Sequence, residues 1–345
     1  MIKLRNTVLP LATAAALAAS VAGAVAAPQP AGAESTPVPA KNQIAKAVAG
    51  TTADTAASPA SFGARPATFS SEADYWTPER MRDAIPLDKV AAPSAAALAG
   101  TAAPVADGPA GSSAPAAAPA GREAFASYKV TRAVGKVFFK NPKDGKNYVC
   151  SASAVNSKSK QLVLTAGHCV HGGRGGKWMT NWIYVPRYHN GNQPDGQFQA
   201  KQARTFTSWI EKSDFRRDVA MVTMWPRSGK KLVNVTGGHG IYWNHSKKIK
   251  ITAIGYPGNL QQGRVQMFCP ATTRATAGTS TIEVRCGYKG GSSGGPWLAK
   301  YNKTSGLGFA DGLTSTYAAN GSGWNHSPYF DTSVKKLFEK QGSVT

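Results

Sequence analysis

Three short stretches hold residue types that could do covalent chemistry. In Leu162-Val163-Leu164-Thr165-Ala166-Gly167-His168-Cys169 an apolar, strand-like run ends in small residues and delivers a histidine beside a cysteine. A general base has to be held within about 3 Å of the proton it removes, and a strand end tied down by a disulfide supplies that rigidity. In Gly290-Gly291-Ser292-Ser293-Gly294-Gly295-Pro296-Trp297 glycines flank a serine pair, so the backbone can turn sharply and aim neighbouring amides at one place. Acyl transfer needs that arrangement: a nucleophilic hydroxyl, Ser293, plus N–H groups facing a developing oxyanion. In Asp218-Val219-Ala220-Met221-Val222 an acid opens an apolar run. Partly buried there, it could fix the tautomer of an imidazole and stabilise its cation. Asp214 is the rival acid, but it has no apolar strand behind it. His168, His171 and Cys169 would suggest zinc, yet too few further ligands stand at metal spacing, so neither metal nor cofactor is expected.

The elements that must position these residues are short and β-rich. Runs with β-type composition recur at 133–139, 148–155, 161–165, 182–188, 218–224, 248–254, 264–268, 281–285 and 306–317, separated by Gly, Asn, Asp and Pro clusters. That is the pattern of an all-β sandwich or barrel. The chain closes with Thr332-Ser333-Val334-Lys335-Lys336-Leu337-Phe338, where apolar residues at 334, 337 and 338 after a hydroxyl N-cap describe one amphipathic helix.

The first 120 residues are of another kind. Lys3 and Arg5, an Ala/Leu/Val run and the small residues Ala24-Val25-Ala26 make a secretory signal peptide over residues 1–26. Residues 27–122 are dominated by Ala, Pro, Gly and Ser, a composition that buries too little surface to offset chain entropy and is expected to be mostly disordered. One island breaks it at Tyr75-Trp76-Thr77-Pro78-Glu79-Arg80-Met81. Thr77 as N-cap, Pro78 at the first helical position and Glu79 in the first turn start a helix, read as a docking element of a pro-segment. The third region, residues 123–345, carries the chemistry.

Charge and cysteines are concentrated in that third region. Residues 1–120 hold 8 basic and 8 acidic residues; residues 121–345 hold 32 and 10, so the whole net +22 lies there. Export and the lack of any nucleic-acid-binding motif turn the reading from nucleic acid towards anionic cell-envelope polymers or acidic protein substrates. The plainer alternative is a basic surface that keeps the protein soluble. No later run approaches the apolar length of a spanning helix, and a monomer is expected. Cys150, Cys169, Cys269 and Cys286 form an even set in an exported chain, which implies disulfides, with three pairings open. Nearest-neighbour pairing would close two loops worth about 3 kcal/mol each in the loop-entropy estimate.

Taken together, T-A-G-H-C at 165–169, D-V-A-M-V at 218–222 and G-S-S-G-G-P at 291–296 resemble the chymotrypsin-fold, trypsin-like serine peptidases, over about residues 127–340. The order His, Asp, Ser and the spacings of 50 and 75 residues are similar to compact secreted bacterial members. Gly255-Tyr256-Pro257-Gly258 and the closing helix look like the glutamyl-endopeptidase branch. The resemblance implies two packed antiparallel six-stranded β-barrels with a C-terminal helix and an active site between the barrels. It implies a secreted serine endopeptidase, made as a zymogen, acting on protein or peptide substrates. Carried over by motif, Ser293 is the nucleophile, His168 the base, Asp218 its orienting acid, and the amides of Gly291 and Ser293 the oxyanion hole. It also implies a Cys150–Cys169 bridge; the family's second bridge varies, and Cys269 with Cys286 is expected there. The alternatives are a non-catalytic basic binding protein on the same fold, and an esterase or narrow processing enzyme using the same acyl chemistry.

Three positions depart from family patterns. Ser292 stands where many members carry the Asp of the zymogen salt-bridge switch. Gly287 stands where trypsins carry the Asp that pairs Lys or Arg, and residues 308–315 lack the His of the glutamyl branch. With no acid to pair a buried cation and a strongly basic domain, acidic peptides are expected to be cleaved faster than basic ones. Comparing kcat/KM for matched acidic and basic peptides at about 10 mM and about 500 mM salt checks this, since screening should shrink the advantage. A flat salt response, or preference for Arg before the cut, would refute it.

Overall fold

The computed structural model describes residues 55–62, 75–87, 106–119, 130–277 and 279–345. The expected signal peptide at 1–26 and the expected start of the mature domain near 123 lie outside the described residues. The N-terminal stretch contributes β1 (Ala60–Ser61), α1 (Pro78–Asp83), β2 (Ile85–Pro86) and β3 (Gly111–Ser113). Each of these strands is added to a sheet of the main domain: β1 antiparallel to Phe198–Thr205, β2 parallel to Asn147–Val155, β3 antiparallel to Gly240–Trp243.

Six strands form the first barrel: β4 (Val134–Lys140), β5 (Asn147–Val155), β6 (Leu162–Thr165), β7 (Thr180–Pro186), β8 (Phe198–Thr205) and β9 (Ala220–Met224). Their antiparallel order runs β4-β5-β6-β9-β8-β7 and returns to β4, so no free edge is left within the ring. Phe138, Leu164, Trp182, Tyr184 and Phe198 of these strands are fully buried. Helix α2 (Thr207–Lys212) lies between β8 and β9, and α3 (Leu232–Thr236) leads out of the barrel.

The second barrel uses β10 (Gly240–Trp243), β11 (Lys250–Gly255), β12 (Met267–Thr272), β13 (Arg274–Ala275), β14 (Thr281–Arg285), β15 (Pro296–Asn302), β16 (Leu307–Leu313), β17 (Thr316–Tyr317) and β18 (Trp324–Pro328). Two bent strands close it. β12 continues into β13 and β16 into β17, so the ring reads β11, β12/β13, β14, β18, β17/β16, β15. Strand β10 joins outside, parallel to β16. Trp297, Ile251, Ile282, Val284 and Tyr288 pack its interior. The all-β, two-barrel expectation is met.

Sequence and structure part company in places with clear causes. The run read as one strand over 306–317 is broken at Thr314–Ser315, where Thr314 N–H donates to Gly295 and Ser315 N–H to His326, moving the chain from one sheet to the other. Strand β8 was not expected, because Lys201, Gln202 and Arg204 interrupt its apolar residues; their stems cover the barrel instead. The closing helix α4 (Thr332–Gly342) is capped by a carboxylate, not a hydroxyl: Asp331 Oδ1 accepts from Ser333 and Val334 N–H at 2.9 and 3.2 Å. Its Val334, Leu337 and Phe338 are buried, and Gln341 Nε2 donates to Thr223 Oγ1 of β9 at 2.7 Å. Among the described residues no helix is long and apolar enough to cross a membrane.

Asp311 of β16 lies 5 % exposed within the second barrel, and burial pushes its pKa up to about 8. The native state therefore holds a proton that the unfolded chain releases, so this residue's contribution to stability is complete at low pH and is lost as pH rises to about 8. Asp311→Asn should flatten that decline, gaining up to about 1.4 kcal/mol per pH unit crossed. Urea unfolding at about pH 5 and about pH 8 reads the difference. A variant less stable than wild type at the higher pH would show that the carboxylate is instead held by a charge partner.

Candidate active site

His168 lies in a single 3-10 turn, Gly167–Cys169, directly after β6. The turn is held from both sides. Cys169 is bridged to Cys150 of β5, and Trp182 Nε1 donates to the Cys169 carbonyl at 2.9 Å. Asp218 ends another such turn, Phe215–Arg217, two residues before β9. Both side chains are completely buried. The Asp218 carboxylate accepts three hydrogen bonds: from the His168 backbone N–H at 2.7 Å, from the Nδ1 of the same residue at 2.8 Å, and from Ser315 Oγ at 2.6 Å. This approach needs a glycine beside the histidine, since a Cβ at Gly167 would stand 2.9 Å from Asp218 Oδ1. With Nδ1 committed to the acid, His168 Nε2 is the ring atom without a hydrogen-bond partner.

The rival acid is spent elsewhere. Asp214 caps the turn at Arg216 N–H and pairs with the Arg216 guanidinium at 2.7 Å. His171 is no second base: burial holds its pKa below the ordinary histidine range, its Nδ1 accepts from Gly173 N–H, and Trp178 packs edge-on against it. Cys150 and Cys169 stand near His168, but their sulfurs are joined to each other and offer no thiolate to a metal.

Ser293 sits in the turn between residues 287 and 295 and is 5 % exposed. Its carbonyl accepts the Ser151 N–H at 2.7 Å and lies 3.8 Å from Cys169 Sγ, which brings the serine to the bridge beside His168. Gly294 follows with φ +81°, and any Cβ there would collide with the Ser151 carbonyl and Thr165 Oγ1. The glycine is what lets the serine turn lie against β5 and β6. The neighbouring Ser292 hydroxyl donates to the Lys289 carbonyl at 2.6 Å, so it is committed within the loop.

Several supports of this site escaped the sequence reading. Asn325 clamps Tyr288 from both sides, accepting its N–H at 3.1 Å and donating to its carbonyl at 2.8 Å. Asn259 does the same across the loop, donating to the Gly287 carbonyl and accepting from Lys289 N–H. Ser151 Oγ donates to the Gly291 carbonyl at 2.8 Å and accepts from Tyr256 N–H. Asn259 follows the Tyr256-Pro257-Gly258 turn, which was the available signal; Asn325 carried none. The second disulfide, Cys269–Cys286, ties β12 to the start of this loop.

A profile of the trypsin-like peptidase domain matches residues 150–307. The fold is similar to protease Anisep from Arthrobacter nicotinovorans, at 31% identity over 63% of this chain and 99% of that one, with a TM-score of 0.59. It is also similar to the thermostable serine protease AL20 from an extremophilic microorganism, at 28% identity over 62% and 99% of the two chains, TM-score 0.58. A Glu endopeptidase shares the fold at 16% identity over 65% and 97%, TM-score 0.52. No curated protein matches the chain.

The clamps can be ranked. Asn325→Ala would leave the N–H and carbonyl of buried Tyr288 unpaired and should cost about 1–3 kcal/mol. Asn259→Ala, on the exposed side of the loop, should cost less. Chemical denaturation of both variants checks the order, and equal costs would show that solvent reaches Tyr288.

Proposed function

The chain belongs to the trypsin-like peptidases and is a serine endopeptidase, and we propose that Ser293, His168 and Asp218 are the groups that carry its reaction. The observation behind this assignment is the bidentate hold of Asp218 on His168, through the backbone N–H and Nδ1 at once. An imidazole so held has one tautomer and one orientation, with Nε2 left to exchange protons.

In the proposed mechanism Ser293 Oγ attacks the scissile carbonyl as His168 Nε2 takes its proton. The resulting imidazolium is stabilised by Asp218, and the negative charge on the former carbonyl oxygen by the amides of Gly291 and Ser293. Collapse expels the amine, which receives the proton from His168, and leaves an acyl group on Ser293. Water, deprotonated by the same histidine, then releases the acid. Ser315 is a positioning residue here. Its hydroxyl supplies the third donor to a carboxylate that has no access to water.

The reading extends to the life of the chain. Residues 1–26 act as an export signal, residues 27–122 as a pro-segment, and residues 123–345 as the peptidase domain, released outside the cell onto protein or peptide substrates. Two disulfides support an oxidising destination. A form in the medium with its N-terminus near residues 120–127 is expected; one beginning near Pro28 would make the segment permanent.

Ser293→Ala should abolish covalent labelling by a fluorophosphonate, and His168→Ala should lower peptide hydrolysis by about 10⁴-fold or more, since these residues act as a unit. Labelling that persists, or that is lost instead in Ser292→Ala, would overturn the assignment of the nucleophile.

A further inference from the structure

Residues 75–87 form a strap that crosses the first barrel and ends on the Gly291 amide. Its anchors are side chains. Trp76 is 2 % exposed, lies 5.4 Å from the Phe138 ring and donates Nε1–H to the Asn181 carbonyl at 2.6 Å. Tyr75 donates its hydroxyl to Asn147 Oδ1 at 2.8 Å, and Met81 of α1 is buried. After the helix the backbone takes over. Ile85 and Pro86 run parallel to Tyr148 and Val149 of β5. Leu87 then donates its N–H to the Val149 carbonyl at 3.0 Å, and its own carbonyl accepts the Gly291 N–H at 3.3 Å. Pro86 packs over Gly258 and Gly291.

We propose that this strap is an inhibitor built into the chain, in which the Leu87 carbonyl occupies the donor reserved for the substrate's developing oxyanion. The proposal rests on the assignment of Gly291 and Ser293 as the oxyanion hole. An amide already satisfied by a carbonyl of the same chain is lost to the transition state, so the covered site can neither bind nor turn over a peptide in that position.

The direction of the strap explains why it is not simply a substrate. Val149 precedes Cys150, which is bridged to Cys169, the residue after His168. The β5 edge therefore lies on the side of the base, where a leaving amine must be to receive its proton. A cleavable chain with its carbonyl on Gly291 would place the residues after that carbonyl along this edge. The strap instead places Ile85 and Pro86, which come before its carbonyl, along the edge. Its polarity is reversed, and the peptide bond after Leu87 does not present its nitrogen to His168. Occupation without cleavage follows from the geometry.

The test compares full-length wild type with Trp76→Ala/Met81→Ala, which removes the anchors, and with Leu87→Pro, which removes the N–H given to Val149 while keeping them. Fluorophosphonate labelling should be at least about tenfold slower in wild type than in either variant, the factor expected when fewer than one molecule in ten has the strap released. A synthetic peptide of residues 75–87 added to a variant should restore slow labelling and remain uncut. Equal rates in all three chains, or cleavage of the peptide after Leu87, would overturn the proposal. Should no chain label at all, the nucleophile assignment fails, and hydrogen exchange still judges the strap. Backbone amides at 287–293 should exchange faster in the variants, and identical exchange would show that nothing covers Gly291.

Discussion

A carboxylate with no access to water needs its hydrogen-bonding capacity met inside the protein, and Asp218 is in that position. Its three donors come from different parts of the chain: two from the His168 turn after β6, one from Ser315 at the bend between β16 and β17. The charge thus fixes the histidine ring and at the same time joins the two barrels at the site. Gly167 is required by the same contact, because the acid approaches the backbone so closely. Thr205 Oγ1 donates to the Val219 carbonyl at 2.7 Å and steadies the chain just after the acid. Removing either partner would leave a buried charge uncompensated, which is far costlier than the loss of one ordinary hydrogen bond.

The loop from Gly287 to Gly295 is organised differently, by neutral groups. Its backbone is held by the side chains of Asn259, Asn325 and Ser151, and internally by the Ser292 hydroxyl on the Lys289 carbonyl. An acid at position 292 would need a cation delivered from elsewhere before the loop could settle. A hydroxyl needs none, since it finds its acceptor three residues away. The serine turn is thus held in this structure without a charge at position 292. A carbonyl of the same chain, that of Leu87, rests on the Gly291 N–H of this loop.

Legibility in the sequence followed the range of the interactions. His168, Asp218 and Ser293 could be proposed because three local contexts, a strand end, an acid opening an apolar run and a glycine turn, occur together in one order, whereas none of them alone is specific. Most strands of alternating or continuous apolar residues were readable too, while β10, β15 and β18, short or broken by polar residues, were not read. Strand β8 was not, because its place in the ring is decided by β7 and β9 and not by its own composition. Ser315 and Asn325 were invisible as site residues: a lone hydroxyl or amide gains its role from a partner 97 or 37 residues away. The cap of α4 was misplaced by one residue, since Asp331 and Thr332 are both good caps; Asp331 caps through Oδ1 and pairs with Arg217 through Oδ2 at 2.6 Å.

The described parts of the N-terminal stretch, residues 55–62, 75–87 and 106–119, show how a composition poor in large apolar residues can still join a fold. Alone it could not offset its chain entropy. What it offers is backbone, and the barrels offer strand edges with donors and acceptors to match: β1 on β8, β2 on β5, β3 on β10, and a further pairing of Ala116 with Gly238. Apolar anchoring among the described residues of this stretch is concentrated at Trp76, Met81, Ala84 and Leu87, and the last of these reaches the serine turn. At the end of the strap the Leu87 carbonyl rests on the Gly291 N–H, the amide assigned to the proposed oxyanion hole, so that the contact furthest from the Trp76 anchor is the one where occupation of a single amide has the largest consequence.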